Sequence, residues 1–297
     1  MNRLPATLLL IAFLQPLPVT AQALNGVIDI HCHSDPDVVP RSIDALDLAR
    51  LARAHGERGI ILKNHYEPTT SLAYVIRKVV PGLEVFGGID LNLAVGGVNP
   101  AAVEHMAKMK GGFGKVVWLP TFDSENEVRF SKEQRPFAAV TRNGQILPEV
   151  KQVIALCAKY DLLLETGHSS ATEGLAIIRE AKQQGVKHIV VTHAMIKPIR
   201  MTTAQMQEAA KLGAYIEMVY NALIGPNKEF TFAEYAAAIR AVGPEHCILS
   251  SDLGQAANPV HPEGLQRFFA GLEAEGFKRS DIDRMSKTNP AEALGLR

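Results

Sequence analysis

Three cysteines in a chain of 297 residues are too few, and odd in number, for a disulfide framework. A chain of this length can bury a large core without one. Cys32, inside an apolar strand-like run, is expected to point into the layer beneath the helices as an inert buried thiol. Net charge is also missing. The 31 Lys and Arg balance the 31 Asp and Glu, which removes the global basic field that would attract nucleic acid or anionic lipid. There is no internal repeat and no low-complexity tract, so repeat arrays and disordered linkers are set aside. No glycine-rich phosphate loop follows the first apolar run, which argues against an open doubly wound sheet. What remains is ordinary globular composition, 47% hydrophobic and 21% charged.

The beginning, "MNRLPATLLLIAFLQPLPVTAQA", follows a different pattern. Arg3 precedes an apolar stretch from Leu8 to Leu14, and Ala21-Gln22-Ala23 gives a small-x-small ending. This is the secretory signal pattern, and its apolar stretch is too short to span a membrane comfortably. Residues 1–23 are therefore expected to be removed, leaving 24–297 as an exported single domain, periplasmic and free of the membrane once mature.

From there, short runs rich in Val, Ile and Leu alternate with helical patterns. Strands are expected at about 26–32, 58–64, 84–91, 115–119, 161–166, 187–192, 213–219 and 246–251. Between them lie segments such as "SIDALDLARLARAHG", with Ser42 as a start signal and Gly56 as a stop. Apolar strands joined by helices imply a parallel sheet, and eight such units predict a closed (β/α)8 TIM-type barrel. One connection breaks the rhythm. From Pro120 to about Leu147 no helix is expected, and Asn143-Gly144 signals a hairpin. Residues 121–147 are read as a lid over the active face. Its Arg129, Lys132 and Arg135 would attract an acidic substrate, whereas "ALIGPNKEF" and "EFTFAEYAAA" are read as structure without chemistry.

In a parallel barrel the loops after the strands form the active face. His31 and His33 end the first strand and, two apart, share one face of it, where two imidazoles can hold one metal ion. His65 ends the second strand, His168 follows the fifth, His193 ends the sixth and Asp252 ends the eighth. His188 and His246 begin strands at the opposite face, and His55 ends a helix. His105 lies on a helix, and His261 in a Pro-rich loop is left open.

The motifs "DIHCH", "ETGH", "VTHA", "SSDLG" and the closing "NPAEALGL" resemble the amidohydrolase superfamily of metal-dependent hydrolases over nearly the whole mature chain. The resemblance implies a barrel with one or two divalent metals at its mouth, zinc first, with manganese as an alternative. It implies that His31 and His33 bind the more buried metal and that His168 and His193 bind a second metal or hold the substrate. Asp252 would contact the metal and take a proton from the attacking water. The fourth strand, "KVVWLPTFD", lacks the bridging Glu or carbamylated Lys of many binuclear members. Lys63, on the same strand face as His65, and Glu165 are the candidate substitutes. Lys63 in its protonated form would instead pair with Glu165 or Asp29 or hold an anionic substrate, and Asp29 would orient an imidazole. The implied activity is hydrolysis of a small-molecule amide, ester or lactone. The alternatives are a phosphoesterase of the polymerase-and-histidinol-phosphatase type and a non-catalytic binding protein.

Overall fold

The apolar runs become strands because each is buried on both faces, and their ends fall within a residue or two of those expected. The computed structural model describes residues 24–296, so the signal-like segment 1–23 lies outside the described residues. The strands are β1 (Ile28–His33), β2 (Gly59–Lys63), β3 (Glu84–Asp90), β4 (Gly114–Trp118), β5 (Leu163–Glu165), β6 (His188–Val191), β7 (Tyr215–Val219) and β8 (Cys247–Ser250). They pair in sequence order, all parallel. The helices between them are α1 (Ala45–Ala54), α2 (Thr70–Val79), α3 (Pro100–Ala107), α4 (Glu125–Phe130), α5 (Pro148–Tyr160), α6 (Ala171–Gln183), α7 (Thr203–Lys211) and α8 (Phe232–Val242), with α9 (His261–Ala274) after β8. Capping boxes start α6, α7 and α8, through Ser170 with Glu173, Thr202 with Gln205 and Thr231 with Glu234. The result is a (β/α)8 barrel. No helix of the described residues is long and apolar enough to cross a membrane.

Two features of β1 set up the mouth. Ile28 and Ile30 belong to the inner apolar layer, while Cys32 packs under α1 with Leu48 and Ala49. Strict alternation would put all three on one side. A register shift between Asp29 and Cys32 breaks that alternation, and both His31 and His33 face the central cavity. The seam to β8 is then closed by backbone bonds just beyond that strand. Asp252 N–H donates to His31 O at 3.0 Å, and His33 N–H donates to Leu253 O at 2.9 Å.

The opposite end is sealed by the C-terminal segment. After α9 come α10 (Arg279–Asp283), a π-helical turn and α11 (Asn289–Ala293). Ala291, Ala293 and Leu294 pack against Ile28, Ile61, Phe86, Val116 and Ile248 inside the barrel. The Asn289 amide donates to Cys247 O at 2.6 Å and Pro244 O at 2.9 Å.

The 121–147 segment needs a correction. It holds the hairpin, Thr141–Arg142 against Gln145–Ile146, with Asn143 and Gly144 at φ 51° and 74° as such a turn requires. It also holds helix α4, which was not expected. Ser124 Oγ accepts from Glu127 N–H at 3.0 Å and starts it.

Candidate functional site

The polar strand ends meet in a cavity of about 490 Å3. His31 Nε2 lies 3.1 Å and His33 Nε2 3.3 Å from the same atom, Asp252 Oδ1. All three side chains are nearly fully buried, and their ligand atoms lie within 4.8 Å of one another. The second oxygen of Asp252 accepts from the Asn221 amide at 3.2 Å. On its far side the His31 ring donates Nδ1–H to Glu217 Oε1 at 3.0 Å, which aims Nε2 into the cavity. Glu217 also accepts from Ser250 Oγ and from the His193 backbone N–H, at 2.7 Å each.

Charge at this cluster is strongly coupled. Burial opposes ionisation of Asp252 and of Glu217. The His31 imidazole beside each prevails, holding Asp252 well below the usual carboxylate range and Glu217 at about 2. Burial and Lys63 push His31 down, but Asp252 and Glu217 outweigh them and raise it to about 10. His33 is driven down to about 3, first by burial, with His31 and Arg41 adding to it. His33 Nδ1 is buried with no hydrogen-bond partner among the described residues. Two imidazole nitrogens meeting one carboxylate oxygen, with one imidazole oriented by a carboxylate behind it, is a donor set that suits a divalent cation. The cation would replace the proton that His31 otherwise holds.

Beside it sits a second pair. His168 Nε2 and His193 Nε2 are 3.2 Å apart, and the His31 and His193 rings stack with centroids 5.8 Å apart. His168 donates Nδ1–H to Glu127 Oε2 of α4 at 2.8 Å. His193 Nδ1 has no partner among the described residues, and burial, then His168, keep His193 well below its ordinary value. His193 and Asp252 have φ of 24° and 50°. At both strand ends the backbone is held in a left-handed conformation that aims the side chain into the mouth.

His65 stacks on His33 with centroids 4.7 Å apart and meets the Phe122 ring at a tilt, 4.0 Å between centroids. Its Nδ1 is held by Asp90 Oδ2 at 3.1 Å and Thr121 Oγ1 at 2.9 Å. Lys63 Nζ lies 3.1 Å from His31 Nε2 and 5.2 Å from the centre of the Trp118 ring. Glu165 pairs in register with Trp118 but does not line the cavity. Thr192 Oγ1 donates to one of its oxygens at 2.9 Å and the other has no partner among the described residues. Burial, then the charge of Glu217, raises it to about 8.

Several expectations change. Asp29 does not orient an imidazole or meet Lys63; its carboxylate accepts the backbone N–H of His31 at 3.2 Å and of Ser251 at 3.0 Å. The "ALIGPNKEF" segment is part of the site, since its Asn227, Lys228 and Glu229 line the cavity, as does Asn221 just before it. The lid cations are not at the mouth. Arg129 pairs with Glu125, and Arg135 pairs with Asp123 and Glu133. His261 lies outside the mouth, donating Nε2–H to Leu253 O at 2.8 Å from the start of α9.

Residues 26–217 match the model of a family described as "Family of unknown function (DUF6282)". The chain belongs to this family. For DUF6282, the matched stretch runs from β1 to Glu217 and holds every mouth histidine, while Asp252 lies beyond it. No curated protein matches the chain. Solved structures show its fold elsewhere. A phosphotriesterase homology protein from Escherichia coli, with phosphate in its active site, superposes with TM-score 0.63 at 17% identity, covering 90% of this chain and 98% of that one. An amidohydrolase from Pseudomonas aeruginosa gives 0.63 at 11% identity, covering 93% and 98%. A mutant organophosphorus hydrolase from Deinococcus radiodurans gives 0.63 at 16% identity, covering 93% and 94%. The barrel of this DUF6282 member is thus the one its motifs resemble.

Its site has residues that the motifs do not disclose. Glu217 sits within the apolar run "YIEMV", and an acid buried in such a strand is itself a signal. Ser124 and Glu127, three apart, carry the helix-start signal of α4. Asp90, Thr121 and Asn221 become site residues only through contacts distant in sequence.

Proposed function

We propose that this protein is an exported metal-dependent hydrolase of small molecules, cleaving an amide, ester or lactone bond with a divalent ion, zinc first, held by His31, His33 and Asp252. The observation that carries the reading is the approach of His31 Nε2 and His33 Nε2 to one oxygen of Asp252. Export rests on the signal pattern of residues 1–23. A divalent ion in such a donor set lowers the pKa of water from 15.7 to about 7 and polarises the electrophilic oxygen.

The chain's own groups supply the remaining steps. Asp252 stays ionised, oriented by the Asn221 amide on Oδ2. It takes the proton of the attacking water and returns it to the leaving group. His168 and His193 face the same space and hold the electrophile or a second ion. Lys63 stabilises the developing negative charge from below. Phe122 of the lid lies over His65 and beside His168 and limits access of bulk water.

The test is metal content of the purified protein and of His31→Ala, followed by a screen of amides, esters, lactones and phosphoesters with added zinc or manganese. Metal bound by the parent and absent from the variant supports the reading; equal metal in both sinks it. Phosphoester hydrolysis is the second reading. It is favoured by similarity to the E. coli protein whose structure holds phosphate in its active site.

A further inference from the structure

The cations lining the cavity are not all matched by its carboxylates. Three carboxylates line it, Glu127, Glu229 and Asp252. Each is already committed: Glu127 to His168, Glu229 to Lys197, and Asp252 to His31 and His33. Arg41 and Lys228 line the same cavity with donors to spare. Lys228, exposed on the loop after β7, has no ion-pair or hydrogen-bond partner through its side chain among the described residues.

Arg41 is the better built of the two. Its side chain is 6% exposed although it comes from a loop. The backbone of that loop is fastened to the one after β8, with Arg41 bridging Gln255 and Ser42 N–H donating to Gly254 O at 2.8 Å. The guanidinium is oriented by a single carboxylate oxygen, Asp37 Oδ2, which accepts from Nε at 2.8 Å and from Nη2 at 2.6 Å. Asp37 Oδ1 is taken by the Val38 N–H. Nη1 has no partner among the described residues and belongs to a side chain that lines the cavity. A guanidinium stays charged at any working pH and presents its N–H groups in a fixed plane, which matches the oxygens of a carboxylate or phosphate.

We infer that Arg41, assisted by Lys228, is the specificity-determining subsite for an anionic oxygen group, carboxylate or phosphate, carried by the substrate. This rests on the proposed reading of the site as a hydrolase centre and adds the substrate class: a small anion rather than a neutral amide or lactone. Val39, 40% exposed, and Phe122, 40% exposed, line the same cavity and offer apolar surface to the remainder of the molecule.

The experiment titrates the purified full-length protein with succinate, with inorganic phosphate and with neutral succinamide. Wild type, Arg41→Gln, Arg41→Lys and Lys228→Ala are compared, together with His31→Ala and the double variant His31→Ala/Arg41→Gln. The expected result is binding of an anion but not of succinamide, weakened about tenfold or more in Arg41→Gln, the scale of one lost charge-assisted hydrogen bond. Arg41→Lys and Lys228→Ala should show smaller losses. Which of succinate and phosphate binds more tightly identifies the group. The loss should persist when His31→Ala is the parent, which separates this subsite from any anion held by a metal. Unchanged anion affinity in Arg41→Gln, or equal binding of succinamide, would overturn the inference. Metal content measured on the same samples tests the hydrolase reading separately, since an anion can bind Arg41 in a chain that holds no metal.

Discussion

Asp252 joins two jobs in one residue. Its backbone N–H helps close the barrel seam, and its carboxylate receives both imidazoles. Asp252→Asn leaves the backbone bond in place, so the thermal transition should be largely kept. Turnover should fall by about two orders of magnitude or more, the scale of a lost general base. Near-normal turnover on an identified substrate would rule the role out. Glu165 gives a prediction in pH. In the fold its carboxyl is held at about 8, against an ordinary value of 4.5. A raised acid favours the protonated fold, so this contribution is fully present below 4.5 and is lost as pH rises through 8. Without added metal, Glu165→Gln should therefore lose less thermal stability than wild type between about pH 5 and about pH 8. Parallel melting curves across that window would reject it. At this scale the sequence is readable for His31 and His33, because period-two spacing fixes their common face whatever surrounds them. It is not readable for the partners. That Glu217 meets His31, or that Glu127 meets His168, depends on which strand and which loop lie beside them.

Among the elements, the strands were legible because apolar runs bounded by glycine and turn residues have few other ways to fold. Helix α4 was not, since six residues carry too little periodicity to register. Its Ser124 cap, with Glu127 three residues on, was the local trace. This helix changes what the lid is expected to do. Val128, Ala138 and Val140 are buried, and Asn126 donates to His168 O at 3.0 Å and Pro198 O at 3.2 Å. Deleting 121–147 should therefore lower the melting temperature rather than spare it. Glu127→Ala is the sharper probe. It should leave the melting temperature close to wild type and weaken zinc binding or activity by about 10–100-fold, as loss of a carboxylate behind a metal-binding imidazole does. A competition titration with a chromophoric chelator measures the first, and an unchanged zinc affinity together with unchanged turnover would remove Glu127 from the site.

On the scale of the molecule, the barrel is held at one end by the polar mouth and at the other by α11. Asn289 is the clasp there, with its amide on the carbonyl of Cys247 at the start of β8 and on that of Pro244 in the turn before it. Asn289→Ala should cost about 1–3 kcal/mol, the range for buried polar groups left unpaired. Chemical denaturation can resolve that loss. The overall architecture follows from the count and order of the strands, but the identity of the plug does not. "NPAEALGL" gives no local sign that its alanines and leucine enter the barrel from below.

That plug sets an order of assembly. Interior residues of β1, β2 and β8 face one another across a space that Ala291, Ala293 and Leu294 fill, and β1 meets its last neighbour only after Leu253 has been made. A nascent chain emerging from the ribosome is therefore without both its seam and its stopper until almost all of it has been synthesised. Contacts this distant in sequence form late. Under the export proposed above, such late closure would keep the polypeptide threadable through synthesis.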